Sequence, residues 1–452
     1  MKKLLPTLLL IIGLTSFAHA QWTSPGNGTT YTLPDLVAVT NGAVTNVGTV
    51  FTIHQDLTIS ANDVLQIDNQ VSRINIGSVL ITIKGSMIST NTNDRVGLFG
   101  LSQTEHFSMR FENAKACNLK RLYFSDAAGI KVIESEVTFD DVKFFYFTRD
   151  YCNAVIDIFN CDPVIKNCIF QDNQGAAISS PANGQSSPQI LNNTLDANVN
   201  GVNMPQINLG PGGADTIRIV GNEIFDRWAQ YHTGGISVAD LMGVGSTKVL
   251  LKDNEIRDGR YGYNQQGATI SSVIIGNQFI DNNREDNPMN GGSGISIYGV
   301  SLSNKAILRN NTITGNLWGI TAINQHDIDL GTDEEWGNNV IHDNGNNGTT
   351  YDLYNNASCD IKAIGNNWGT SNALEIEGHI FHQVDDPSLG MVHFTPFIDV
   401  DSIDEVQLDL NDIDPAKTAF YSITGQRVNP ESLKAGVYIV VTEKGTKKII
   451  IQ

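Results

Sequence analysis

One asparagine, returning every 23–34 residues inside the same short apolar setting, limits what this chain can fold into. The segments VIKNCIF, ILNNTL, IVGNEIF, LLKDNEI, IIGNQFI, ILRNNTI, WGNNVI and AIGNNWG align on Asn167, Asn193, Asn222, Asn254, Asn277, Asn311, Asn339 and Asn367, at spacings of 26, 29, 32, 23, 34, 28 and 28. Three residues earlier stands Val164, Ile190, Ile219, Leu251, Ile274, Leu308, Trp336 or Ile364. Two residues later stands Ile169, Leu195, Ile224, Ile256, Phe279, Ile313 or Ile341, and only Gly369 breaks that column. The residue before the reference is Asn, Gly or Asp in every coil but that of Lys166. A period with variable insertions denotes stacked repeats with a constant core. Apolar columns point inward and stack from coil to coil. The Asn/Gly pair marks a bend where left-handed dihedrals are tolerated, and stacked amides bond from one coil to the next.

A second strand follows each corner: Gly-Ala-Ala-Ile at 175–178, Gly-Gly-Ile-Ser-Val at 234–238, Gly-Ile-Ser-Ile at 294–297 and Gly-Ile-Thr-Ala-Ile at 319–323. Glycine followed by alternating apolar residues reads as a short strand. The leucine template of leucine-rich repeats and the Trp-Asp signature of propellers are both missing. Upstream the register is weaker. Residues 57–59, 64–67 and 79–85 alternate like strands, and Asn118 and Asp141 are expected to continue the ladder. The expectation is an all-β chain, a right-handed single-stranded parallel β-helix of about ten coils over 56–398, capped by 21–55, with an acidic linker at 399–416 and a small β domain at 417–452.

The "NNTI…GN..GI" pattern across about 55–398 resembles the pectate-lyase-like superfamily of parallel β-helix proteins. Residues 365–397, from Gly-Asn-Asn-Trp-Gly to Pro396-Phe397, are similar to the closing coil of many exported bacterial members. The resemblance implies the fold, not an activity, because that fold carries lyases, hydrolases, epimerases and adhesins. The tail, with Gly425, Val428, Leu433, Gly436-Val437-Tyr438-Ile439-Val440 and Lys447-Lys448-Ile449, resembles the C-terminal sorting domain of the type IX secretion pathway of Bacteroidetes. That implies a partner in secretion machinery, although the usual opening strand with its Asn-Pro is missing.

Lys2, Lys3, the apolar run Leu4–Leu14 and Ala18-His19-Ala20 read as a signal peptide over 1–20. The run is too short to span a bilayer. The expected destination is outside the cell or on the outer-membrane surface. A net charge of −19 disfavours nucleic acid as a partner. Five cysteines, an odd number with no CxxC, argue against a zinc or redox site and suit buried free thiols.

Chemistry in such a fold belongs at the corners. Four residues after the reference asparagine come Asp226, Asp258 and Asp281, and later Asp343. Strands pair about 4.8 Å apart, so the first three align as a stripe suited to Ca²⁺. Arg257, Asp258, Arg260 and His232 are the candidate catalytic groups. Trp228, Tyr231, Tyr261, Arg227 and Arg284 are the candidate contacts to a sugar chain. Against this, Asp is a favoured turn residue and Arg beside it a common surface partner. The block signatures of polygalacturonases and pectate lyases are absent. The leading expectation is a protein that binds glycans or adheres through them without catalysis. A divergent polysaccharide lyase or glycoside hydrolase is the alternative. A flat face of Asn, Thr and Ser favours the first, and a groove where cations, His or Tyr face carboxylates favours the second.

Overall fold

The computed structural model describes residues 21–400 apart from 93, 200–203, 229–232, 244, 286–291 and 347–348, and within 418–451 all but 423–425, 430–432, 434–435 and 443–444. Each coil contributes up to three short strands to three faces. The 26-stranded sheet holds the first and second faces, joined where the long strands Ser293–Arg309 and Trp318–Asp329 run through both. The third face is a separate 13-stranded sheet whose first strand, Val44–Val47, is antiparallel. Twelve coils therefore carry a parallel strand there, more than the ten expected. The difference lies upstream, where coils are as short as the 20 residues between paired Tyr123 and Lys143.

The reference asparagines lie at the corner between the second and third faces. From Asn193 to Asn339 each backbone N–H and each Nδ2 donates to the Oδ1 of the next coil's asparagine, at 2.9–3.0 Å and 2.8–3.0 Å. The second Nδ2 hydrogen goes to a carbonyl of the preceding coil, from Ile165 for Asn193 to Leu308 for Asn339. Both lone pairs and both donors are used, so these amides are buried at little cost.

The ladder corrects the sequence register at both ends. In the first coil Cys168, not Asn167, donates its N–H to Asn193. Asn167 takes the left-handed position before it, like Asn192. A one-residue slip turns a strand over: Ile165 and Phe170 are buried where Val164 and Ile169 had been placed. In the last coil Asn366 accepts from Asn339, and Asn367 faces outward. Trp368 therefore fills the inward column that Gly369 had seemed to break. Trp336 is exposed in a loop packed on Gly365, and Leu330 supplies the core residue it was assigned. Upstream, Asp141 shares the left-handed position with Asn167. Asn118 lies within strand Cys117–Lys120, and Arg121 holds the turn instead. The ladder position there is apolar, occupied by Leu122, Val142 and Cys168. Beside it Phe124, Phe144 and Phe170 stack at 5.5 and 4.6 Å.

A second amide ladder, not foreseen, runs at the corner between the third and first faces. Asn282, Asn316 and Asn344 repeat the bonding pattern, and the series ends on the buried carboxylate of Asp352. An earlier segment links Asn173, Asn198 and Gln206. This ladder explains the Gly-Ile signature of the first face. A Cβ on Gly294 or Gly319 would come within 2.9 Å of Asn316 Nδ2 or 3.0 Å of Asn344 Nδ2.

The N-terminal end is covered by helix α1 (Leu33–Val39), held by a Thr32/Asp35 capping box, with Leu33 and Leu36 buried over the core. The strands Gln21–Thr23 and Thr30–Thr32 beside it already pair in parallel with the next coil. At the other end Trp368, Phe394 and Phe397 pack together near helix α2 (Ala373–Gly378). All five cysteines are free. The tail is a four-stranded antiparallel sheet built on Phe420 and Val440. The expected signal peptide, and all but the first residues of the expected linker, lie outside the described residues.

Candidate functional site

The predicted stripe lies where the second ladder is interrupted, with Arg227 and Gly259 standing where asparagines would. Its acids serve the turns. Asp258 and Asp281 have φ of 57° and 54°, at the left-handed position just before the ladder, as Asp343 does. Asp226 is buried and accepts the Trp228 N–H. Among the described residues no group of three or more His, Cys, Asp or Glu is arranged to hold a metal ion. The arginines are occupied. Arg257 reaches Glu223, Glu255 and Asp258 at 2.9, 2.6 and 2.8 Å and covers the Phe225 ring. Arg284 reaches Asp258 at 3.3 Å. Arg260, almost fully buried, lies 3.2 Å from Glu285. Arg227 clamps Asp172 and Asp196 on the two preceding coils. Tyr261 packs over Gly234, and burial pushes its hydroxyl pKa up. Trp228 is 62% exposed and donates Nε1–H to Asp172. Tyr231 and His232 lie outside the described residues. The stripe thus joins Arg257, Asp258 and Arg284 in one ion-pair network that braces the corner.

The first face offers a different arrangement. Strand register places Arg110, Lys131, Asp157, Ser179, Asn208, Ser237, Asn264, Ser296, Thr321, Tyr354 and Phe381 in one outward column. Ser179, Ser237 and Thr321 point outward yet are buried, each beneath a hydrogen-bonded neighbour, Asp157, Asn264 and Ser293. The middle of the column is hydroxyl and amide, with Asn264 donating to Ser237 at 3.1 Å. At one end Tyr354 stacks between Trp318 and Phe381, at 4.7 and 4.6 Å. At the other, Lys131 Nζ lies 4.6 Å from the centre of the Tyr151 ring, and Arg110 Nε lies 3.1 Å from Glu112. Burial raises the Tyr151 pKa while the Arg110 charge opposes it. Burial also raises that of Asp157, against the Ser179 hydroxyl, 2.7 Å away, and the Lys131 charge. No motif announces this column. Its members are single residues from separate coils, and only exact strand register brings them into line.

A third cluster, a cleft of about 350 Å³, lies near the C-terminal end of the third face, lined by His342, Asp343, Glu375 and His379 among others. Asp352, 3.2 Å from His379 Nδ1, raises the His379 pKa by hydrogen bonding and charge against partial burial, and Glu375 and Asp343 add to it. A raised histidine pKa stabilises the fold most below the ordinary value near 6.5, and that contribution fades as pH rises through the folded-state pKa. The urea midpoint of the native chain should therefore exceed that of His379→Gln at pH 6 and approach it at pH 9. A gap that widens with pH would contradict the pairing.

The three-faced parallel winding can be set beside known structures. A single-substitution mutant of the periplasmic alginate epimerase AlgG superposes with a TM-score of 0.52 at 13% identity, covering 81% of this chain and 83% of that one. The chain has the right-handed parallel β-helix fold. A mannuronic acid specific polysaccharide family 6 lyase from human gut microbiota aligns over 81% of this chain and 91% of its own length, at 12% identity and a TM-score of 0.39. A family profile described as a protein of unknown function, DUF1565, matches residues 245–373. No protein of curated function matches the β-helix. Among the described residues no helix is long and apolar enough to cross a membrane.

Proposed function

We propose that this chain is an exported β-helix protein that binds an acidic polysaccharide along its first face without cleaving it. The observation that carries the reading is the outward column running from Arg110 and Lys131 through Ser179, Asn208, Ser237, Asn264, Ser296 and Thr321 to Tyr354. Hydroxyls and amides suit sugar hydroxyls along a length of chain. Arg110 and Lys131 suit a carboxylate, and in a protein of net charge −19 they mark where an anion is accepted. The solved epimerase and lyase named above, by their descriptions, act on or are specific for uronate-type material, which is in keeping with this reading. Titration calorimetry with a polyuronate should show binding that the double variant Arg110→Ala/Lys131→Ala weakens by roughly 100- to 10,000-fold. Lost charge-assisted hydrogen bonds cost about 1.5–3 kcal/mol each, and 1.4 kcal/mol is tenfold. Equal affinity in the variant, or no binding by the native chain, would overturn the proposal.

One observation favours the alternative of a lyase. Arg110, Lys131, Tyr151 and the raised-pKa Asp157 converge at one end of the column. Cations there would neutralise a uronate carboxylate, and Tyr151 or Asp157 would handle the proton of an elimination. Ultraviolet absorbance of an unsaturated product, appearing with the native chain and lost in Tyr151→Phe, would replace the non-catalytic reading with this one.

Export belongs to the same proposal. The charged, apolar and small-residue pattern of residues 1–20 supports passage across the inner membrane. The tail's Gly436–Thr442 and Gly445–Ile451 hairpin supports recognition by sorting machinery. Removing residues 417–452 should hold the protein in the periplasm of its native host. Unchanged delivery to the surface would end the sorting assignment.

A further inference from the structure

We infer that the second face is the contact surface of an antiparallel homodimer, formed about a two-fold axis lying along the strands between the rows of Val273 and Ile307. Unlike the first face, the second carries an apolar outward row. Leu250, Val273 and Ile307 stand in register on consecutive coils, with Val273 and Ile307 40% and 41% exposed and Ile275 beside them. Val300 and Leu302, also exposed, continue the patch around the neighbouring corner. Two exposed apolar side chains side by side, flanked by the part-exposed Leu250 and Ile275, form a patch of the kind that marks a contact surface.

Charge identifies the partner. One coil before Val273, the exposed Lys248 and Lys252 flank Leu250. One coil after Ile307, the exposed Asp327 lies at the same strand position as Lys248, by register through Ser271 and Lys305. Asp333, Glu334 and Glu335 follow at the far side, where Lys252 lies in its own coil. Lys305 and Arg309 offset only part of this acidity, through Asp327 at 3.1 Å, Asp329 at 3.0 Å and Glu335 at 3.5 Å, and on the basic side Asp253 offsets part of the charge of Lys252, 3.6 Å away. The patch is thus basic before its apolar centre and acidic after it. A two-fold axis along the strands keeps strand positions and reverses the order of coils. It lays Val273 on Ile307, Lys248 on Asp327 and Lys252 near Glu334, each contact made twice. A surface that complements itself under a two-fold is what an isologous dimer requires.

Sedimentation velocity over a concentration series tests this. The native chain should reach dimer mass and dissociate as salt rises, since exposed ion pairs are screened. Lys248→Glu/Lys252→Glu should be monomeric, and so should Asp327→Lys/Glu334→Lys. Asp329 and Glu335 are left in place because both hold the buried Arg309. An equimolar mixture of the two charge-reversed variants should recover dimer mass, because each then meets its opposite. All substituted side chains are exposed, and matched circular dichroism spectra would verify folding. A native chain that stays monomeric throughout, a dimer that survives in both variants, or a mixture that remains monomeric would overturn the inference.

Discussion

Replacing Asn277 by leucine is expected to lower the unfolding free energy by on the order of 4 kcal/mol, although the two side chains are close in size. Asn277 Oδ1 accepts from both the N–H and the Nδ2 of Asn254. Its own Nδ2 serves Leu251 O and Asn311 Oδ1. Leucine strands the two donors of Asn254 inside the corner, and each buried unsatisfied group costs about 1–3 kcal/mol. The ladder neighbours cannot compensate, because their remaining donors and acceptors are already engaged. The measurement is the urea unfolding midpoint. Asn310→Gly serves as the control: Asn310 stands next to the ladder, exposed, with a left-handed φ of 56° that glycine adopts freely. If the two variants shift the midpoint equally, the ladder is not what holds the corner.

Trp368→Ala should cost about 4 kcal/mol, within the usual 3–5 kcal/mol for removing a buried aromatic. Trp368 is almost fully buried and meets the edge of Phe394 at 6.5 Å between ring centres. It closes the inward column that runs from Phe124 through Phe170, Ile224 and Phe279 to Ile341. A solenoid coil is supported only by its neighbours, so a cavity there loosens the last coil first. Hydrogen exchange should show lost protection at Ile341 and Val392 before residues near Ile224. Uniform loss along the whole chain would contradict this.

The winding was legible because one buried amide recurs in a fixed apolar frame from Asn193 to Asn339, where each amide is the partner of the next. Legibility failed by one residue at the two end coils. Lys-Asn-Cys and Gly-Asn-Asn each hold an asparagine beside the true ladder position, and only the bonding partner decides between them. Upstream, Leu122 and Val142 replace the amide, so nothing in the letters marks the corner. The second ladder was hidden because Arg227 and Gly259 interrupt it. The site was the least legible part. Aspartates four residues past the reference drew attention as a stripe, but Asp258, Asp281 and Asp343 recur because they share one left-handed turn position. The first-face column has no such repetition. Arg110, Lys131 and Tyr151 come from different coils with unrelated neighbours, and their meeting is a property of stacking.

The ending of the second ladder on Asp352 bears on how long such a protein can grow. An asparagine hands one donor onward, so every coil it closes calls for another acceptor beyond it. A carboxylate receives from Asn344 and passes nothing on. In the vocabulary of polymers, each asparagine is a propagating unit and Asp352 a terminator. Duplicating a coil ahead of it lengthens the body without touching either end, while an amide at 352 would leave a live end with no next unit.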